Sequence, residues 1–203
     1  MGRPGLNRAA VIAAAADLAD ELGFDAVTIS VLARRLGVRS PTLYSHITGA
    51  VDLRTAVTAY VLDELADATS GAMAAGEGGD LLVPFAEAIR DFARRSPGRY
   101  DATTRQRVPR APDPSTAPPS VDDAIAAGRR NADLALAVVR GYGVAEPDET
   151  YAVRLMSSLI HGYITLELAG SFAHSEPPSD ATWHEVLADL DRTLRRTATG
   201  RRH

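Results

Sequence analysis

Apolar residues recur at intervals of three and four along most of this chain, the spacing that places them on one face of a helix. The first such segment begins after Asn7, whose side chain can cap a helix, and it ends at Gly23. Its buried stripe is predicted to contain Val11, Ile12, Ala15, Leu18, Ala19 and Leu22. Further helical patterns cover residues 28–36, 51–68, 81–95, 121–141, 148–172 and 180–197.

The connections between these patterns are marked by glycine and proline. A flexible connection is predicted at 71–79, a helix stop at Ser96 and Pro97, and a long irregular loop across the proline-rich residues 108–120. The sequence contains no strand-like alternation of useful length and no internal repeat. It therefore predicts an all-α fold, with a small N-terminal three-helix head on a larger helical body.

Residues 28–47 combine two short helical patterns around a glycine. Thr28 can cap the first helix, because its side chain can accept a bond from a free backbone N–H. Gly37 stands where a helix needs a left-handed residue, a conformation that glycine takes without a steric penalty. Ser40 is predicted to cap the second helix and Pro41 to take its first position. This arrangement is typical of a helix-turn-helix.

The second helix of this motif is short and has two different faces. Leu43 and Ile47 are four residues apart and can both face the core. The side chains left to point elsewhere are those of Thr42, Tyr44, Ser45 and His46. The N-terminal end of this helix, residues 39–42, is the end that enters a major groove in such motifs. Its free N–H groups also suit a phosphate oxygen.

The same segment resembles the DNA-binding motif of the TetR family of transcriptional repressors. The matching positions are Thr28, Leu32, Ala33, Leu36, Gly37, Val38, Thr42, Leu43, Tyr44 and His46. Residues 8–29 also resemble the family's first helix and its exit through glycine and an aromatic residue. The sequence departs from the family at one place. Many members carry a lysine that meets a phosphate at the start of the next helix, and this chain has Ala50 there.

The resemblance implies a set of DNA contacts. They are Thr28, Arg39, Ser40, Pro41, Thr42, Tyr44 and His46. For some of them a purely structural interpretation stays open. Tyr44 can be a core aromatic residue, and Arg39 can be a solvated surface charge. Pro41 can serve only to start the helix, and His46 can cap its end.

The C-terminal part resembles a TetR subgroup with a proline-glycine-x-tyrosine helix exit and a central His-Gly pair. The matches are Pro97, Gly98, Tyr100, His161, Gly162, Leu166 and Phe172. The subgroup commonly has an aromatic residue before the His-Gly pair, where this chain holds Ser158, Leu159 and Ile160. The resemblance implies that the last two long helices form a four-helix interface in a homodimer, and that earlier helices enclose a small-molecule inducer. Candidate inducer contacts, each of which can instead be a core residue, are Phe85, Phe92, Tyr100, Met156, Leu159 and His161.

The composition of the chain bears on its cellular compartment and on its capacity to bind DNA. The chain has 203 residues and no cysteine, so it can form neither a disulfide nor a thiolate metal site. No apolar run reaches the length of a membrane span, and the first residues do not form a signal sequence, which together predict a cytoplasmic protein without a membrane partner. The net charge is -4, but residues 1–55 hold six arginines against five acidic residues. This asymmetry has the sign that DNA binding requires, although it is small.

Catalytic motifs are absent from the sequence. It has no G-x-S-x-G elbow, no H-x-x-x-H or H-E-x-x-H spacing, no P-loop and no G-x-G-x-x-G. We therefore expect no enzyme activity, no cofactor and no bound metal.

Two functions remain as hypotheses. The first is a ligand-responsive repressor that binds a near-palindromic operator in double-stranded DNA as a homodimer. Residues 1–53 would bind the DNA, and residues 54–203 would bind the ligand and form the dimer. The alternative is an all-α module that binds small molecules or proteins and has a degenerate head. Ala50 and the acidic net charge keep that alternative open.

Overall fold

The structure, a computed structural model, describes residues 6–76, 80–105 and 117–200. Within these ranges it contains nine α-helices and no strand, so the all-α prediction is confirmed. The helices are α1 (Arg8–Leu22), α2 (Ile29–Leu36), α3 (Ser40–Leu43), α4 (Ala50–Ala75), α5 (Leu82–Arg95), α6 (Pro97–Arg105), α7 (Ser120–Gly141), α8 (Glu146–Leu168) and α9 (Ser179–Ala198). A short 3₁₀ turn, Phe24–Ala26, joins α1 to α2.

Two predicted connections differ from the structure. Helix α4 continues to Ala75 through most of the predicted flexible stretch, since alanine and methionine are strong helix formers and Gly71 alone does not end the helix. Helix α5 does end before Ser96 as predicted, but α6 starts immediately at Pro97, because proline suits the first position of a helix. Most of the loop predicted at 108–120, and residues 77–79, lie outside the described residues.

The described residues divide into two compact units. The first contains those up to Ala66 together with those from Arg95 to Asn131. The second contains those from Asp67 to Arg94 and from Ala132 onward. The functional division expected after residue 53 stays a prediction.

The first unit is built around α1 and α6. Five residues of α1 are buried: Val11, Ala15, Ala16, Leu18 and Ala19. Helix α6 approaches α1 at Gly98, where an added Cβ would lie 2.8 Å from the Asp20 nitrogen and closer still to the Ala19 carbonyl. The next residue, Arg99, makes ion pairs with Asp17, Asp20 and Glu64. These ion pairs tie α6 to α1 and to α4.

The second unit is centred on Trp183 of α9, which is fully buried. Its indole nitrogen donates a hydrogen bond to Glu87 at 2.9 Å. The guanidinium of Arg90 lies 5.0 Å from the Trp183 ring and forms ion pairs with Glu167 and Asp180 at 2.5 and 2.8 Å. Burial alone would raise the pKa of Glu167, but hydrogen bonds from Arg90, Ser179 and Arg94 outweigh it and lower that pKa to about 2. The charge of Arg90, which is 4% exposed, is thus compensated.

Candidate nucleic-acid interface

Helix α2 begins and ends as the sequence predicts. The Thr28 hydroxyl accepts a hydrogen bond from the Val31 nitrogen at 3.3 Å, which caps the first turn. Gly37 ends the helix in the left-handed conformation, with φ 67° and ψ 29°. A side chain with a Cβ would be strained at this φ, so the tight turn into α3 depends on glycine.

Helix α3 starts one position earlier than predicted. Its first hydrogen bond runs from the Thr42 nitrogen to the Arg39 carbonyl at 2.9 Å, so Arg39 is the N-cap and Ser40 is the first helical residue. The predicted cap at Ser40 is therefore wrong by one residue. Pro41 is consequently the second helical residue and not the first, although it still lies in the first turn. Leu43 and Ile47 are 0% and 1% exposed and hold this short segment against the core of the first unit.

The polar side chains of the motif lie on the opposite, accessible face. Tyr44 is 56% exposed, so the interpretation that it packs in the core is wrong. Among the other predicted DNA contacts, Thr28, Arg39, Pro41 and Thr42 are exposed, and Ser40 and His46 are half-buried. A face of this kind, on a helix whose other face is buried, can enter a groove without unfolding.

The segment that follows α3 is held by a buried carboxylate that none of the sequence motifs contains. Asp52 is 1% exposed and accepts hydrogen bonds from Arg8 at 3.0 and 3.1 Å. It also accepts one from the Thr48 nitrogen at 2.9 Å. Arg8 donates in addition to the carbonyl oxygen of His46 at 2.6 Å. The sequence does hold one indication of this role: Asp52 is an acidic residue in the first turn of a helix, a position from which a carboxylate can reach back to a free N–H.

The electrostatics of this cluster keep it ionised. Burial alone would raise the pKa of Asp52, but hydrogen bonds from Arg8, Thr48 and Ser120 outweigh it and lower that pKa to about 2. The hydrogen bond to Asp52 raises the pKa of Arg8, with a smaller contribution from the nearby carboxylate of Asp123. Both groups are therefore charged at neutral pH, and their charges largely cancel.

Two other arginines near the motif also have partners in the protein. Arg35 of α2 bonds Glu21 at 2.9 and 2.5 Å. Arg54 of α4 pairs with Asp25 at 3.3 Å and lies 4.2 Å from the centre of the Phe24 ring. Their positive charge is thus partly neutralised, which leaves Arg39 as a stronger candidate to meet DNA.

The candidate inducer contacts do not all lie in one unit. Tyr100 belongs to the first unit and is 1% exposed. The other five belong to the second unit, where Phe85, Phe92 and Met156 are buried while Leu159 and His161 are half-buried. Burial lowers the pKa of His161. Their contact with a ligand stays a prediction.

Each unit also has a surface cavity that contains none of these six residues. The cavity of the first unit measures about 390 Å³ and lies between α1, α4 and α7. The cavity of the second measures about 410 Å³ and is lined mainly by α9, with Tyr142 and Asp80 also in its lining. These two cavities therefore do not coincide with the inducer site predicted from the sequence.

Two regions of the chain match families of known proteins. Residues 82–190 match the family described as "Tetracyclin repressor-like, C-terminal domain". Residues 11–48 match "Bacterial regulatory proteins, tetR family". An uncharacterized HTH-type transcriptional regulator of Mycobacterium tuberculosis is 31% identical over 196 residues, which cover 96% of this chain and 84% of the relative. These matches confirm the resemblance found in the sequence, while the finer resemblance to the His-Gly subgroup stays a prediction.

Solved structures show the same fold. Apo ActR from Streptomyces coelicolor has 16% sequence identity and a TM-score of 0.67, with 98% of this chain and 99% of that chain covered. A TetR variant from Acinetobacter baumannii, in complex with minocycline, has 22% identity and a TM-score of 0.58, with 96% of each chain covered. None of the helices in the described residues combines the length and the hydrophobicity of a membrane-spanning segment.

Proposed function

This chain belongs to the TetR family of bacterial transcriptional regulators, and from that premise we propose that it represses transcription as a homodimer on a near-palindromic operator. It is a DNA-binding regulator with a ligand-binding C-terminal domain, and not an enzyme. We place its action in the cytoplasm, where bacterial operator DNA is found. The observation that carries the proposal is the exposed face of α3, whose opposite face is anchored by Leu43 and Ile47.

In the proposed complex each protomer places residues 40–44 in a major groove. Arg39, at the N-cap of α3, is positioned to reach a base edge or a phosphate beyond the end of the helix. Thr28 and the N-terminus of α2 would meet the backbone, and the remaining contacts would come from Thr42, Tyr44 and His46. The two-fold symmetry of a homodimer places the half-sites one helical turn apart, about 34–36 Å, or a multiple of it.

The proposed dimer interface is formed by α8 and α9. Along α8, the residues Ser158, Gly162 and Leu166 are exposed at intervals of four, and Leu166 is 49% exposed. A Cβ added at Gly162 would meet no atom within 4 Å, so this surface is open and lets the backbone of a partner helix approach closely. A stripe with a small residue at its centre and an exposed leucine suits packing against a symmetry mate.

The proposed inducer binds in the second unit. The Acinetobacter baumannii protein, which has the same fold, is in complex with the small molecule minocycline. Because desolvation lowers the pKa of His161, its imidazole is neutral at physiological pH, and it suits a neutral hydrogen-bonding ligand better than an anion. Binding acts on DNA affinity only through the difference in ligand affinity between two conformers, and a coupling of about 1–3 kcal/mol is typical.

The test is selection of bound sequences from a random duplex pool by the purified protein at near-physiological salt. A recovered palindrome supports the proposal, and its spacing gives the separation of the two α3 helices. Thr42→Ala and Tyr44→Ala should lose binding to the selected site, while Thr104→Ala, an exposed threonine of α6, should keep it. Enrichment of no sequence by a folded dimer would contradict the proposal.

A further inference from the structure

Arg8 connects three parts of the first unit around the end of the recognition segment. It is the first residue of α1, and its guanidinium bonds the His46 carbonyl at 2.6 Å and the Asp52 carboxylate at 3.0 and 3.1 Å. The same carboxylate holds the Thr48 nitrogen at 2.9 Å. Residues 46–48, which leave α3, are therefore fixed from both sides by groups on α1 and α4.

We propose that Arg8 is a positioning residue for DNA recognition, which sets the orientation of α3 through Asp52 and the His46 carbonyl and does not itself contact DNA. This inference rests on the proposed function, since it assigns a residue that acts on the same interface. We call the group formed by Arg8, His46, Thr48 and Asp52 the exit clamp.

Helix α3 is so short that its orientation depends on contacts such as the exit clamp. The helix has four residues, and an isolated helix of that length is unstable because its few hydrogen bonds do not offset the entropy of ordering. Its orientation must come from tertiary contacts. Leu43 and Ile47 hold the inner face, but apolar packing is not directional. The exit clamp adds directional hydrogen bonds at the C-terminal end.

The chemistry of the clamp argues against a direct phosphate contact by Arg8. Its guanidinium already donates to two carboxylate oxygens and a carbonyl, and its positive charge is balanced by Asp52, which is 1% exposed. A phosphate would have to compete with this carboxylate for the guanidinium, which is 35% exposed, and loss of the pair would leave the buried charge of Asp52 uncompensated.

The first experiment measures operator affinity of the folded protein over a salt series. The variants are Arg8→Gln, Asp52→Asn and the double variant. Arg130→Gln, which changes an arginine of α7 in the same unit, is the matched control. We expect Arg8→Gln to weaken binding roughly tenfold or more with the salt slope unchanged, because no phosphate contact is lost. The double variant should bind no more weakly than the weaker single variant, since both changes break the same clamp.

Two outcomes would overturn the proposal. A salt slope that falls by about 0.9 in Arg8→Gln would mean that Arg8 neutralises a phosphate directly. Affinity equal to wild type, per folded molecule, would mean that the clamp serves stability alone. The double variant removes both charges of the Arg8–Asp52 pair, so no uncompensated charge remains at Asp52, and the test stays decisive if Arg8→Gln alone fails to fold.

A second measurement needs no DNA and separates this inference from the proposed function. Hydrogen exchange of the amides from residue 44 to residue 49 should become faster in the double variant, while the amides of α1 and α4 that lie outside the clamp keep their protection. Unchanged exchange at 44–49 would refute the clamp whether or not an operator exists. Wild-type protein that binds no DNA, with the exchange result as expected, would contradict the proposed function alone.

Discussion

Gly98 of α6 lies directly against the Ala19 peptide of α1, so that any side chain at position 98 would overlap the backbone between Ala19 and Asp20. Ala19 is itself 0% exposed. The contact is therefore between two backbones, and neither can yield by changing a rotamer. Helix α6 can therefore pack this closely on α1 only if residue 98 has no side chain.

We expect Gly98→Ala to destabilise the first unit, by roughly 2 kcal/mol or more, because the added methyl group forces the helices apart. Gly128→Ala is the matched control in the same unit: it is a helical glycine of α7 whose added Cβ would meet nothing within 4 Å. That substitution should be neutral or stabilising by about 0.5–1 kcal/mol. Urea unfolding measures both. Equal free energies of unfolding for the two variants would refute the close contact.

Tyr44→Ala should weaken operator binding roughly 5- to 150-fold without a loss of stability. The side chain is 56% exposed, so its removal costs little in folding, whereas the loss of a DNA contact costs about 1–3 kcal/mol. Tyr44→Phe separates the two possible roles: it keeps the ring and removes the hydroxyl. Fluorescence anisotropy with the selected operator measures affinity, and thermal unfolding measures stability. Wild-type affinity in Tyr44→Ala would remove this residue from the interface.

Acid should weaken the first unit through Asp52. The pKa of this residue is lowered to about 2 in the folded protein, so its contribution is fully present above the unfolded pKa near 4 and is lost as the pH falls towards 2. The loss amounts to at most about 2.5 kcal/mol, and less in practice because Arg8 is 35% exposed. Unfolding free energies from pH 6 to pH 2 should fall less steeply in Asp52→Asn than in wild type. Parallel profiles would contradict the lowered pKa.

Gly162→Phe should dissociate the homodimer and leave each protomer folded. A Cβ added at residue 162 meets no atom within 4 Å in the protomer, and the phenylalanine side chain would obstruct a partner helix that packs on α8. Gly71→Phe, at an exposed helical glycine of α4, is the control and should remain a dimer. Sedimentation equilibrium measures the association state. A dimeric Gly162→Phe would exclude this face of α8 as the interface.

His161 should titrate below the value of about 6.5 for a free imidazole, since burial disfavours its charged form. Because its folded pKa is depressed, stability is present above pH 6.5 and decreases as the pH falls through the folded pKa. Proton NMR of the imidazole gives the pKa directly, with His161→Gln to assign its resonance. The same variant should lose less stability than wild type between pH 7 and pH 5. A titration at or above 6.5 would show that the imidazole is solvated.

The interface illustrates what can be predicted from local sequence. The cap by Thr28, the left-handed Gly37, and the inward Leu43 and Ile47 all depend on residues within a few positions of each other, and each is confirmed. The sequence pattern places the cap of α3 one residue too late. If Ser40 were the cap, the Thr42 nitrogen would have no helical acceptor, but it bonds the Arg39 carbonyl, which brings Ser40 into the helix. The pattern also predicts too short an α4, because the glycine pattern after residue 70 obscures the helix propensity of the alanines around it.

The all-α class, the helix-turn-helix and the family can all be predicted from the sequence, since helical periodicity, caps and turn glycines are local properties. Which distant groups meet is known only from the packing of the helices. Arg8 and Asp52 are 44 positions apart, and Gly98 and Ala19 are further apart still, yet both pairs are in contact. Such pairings depend on how the helices pack in three dimensions, and a periodic pattern shows which face of a helix is buried but not which residue of another helix lies against it.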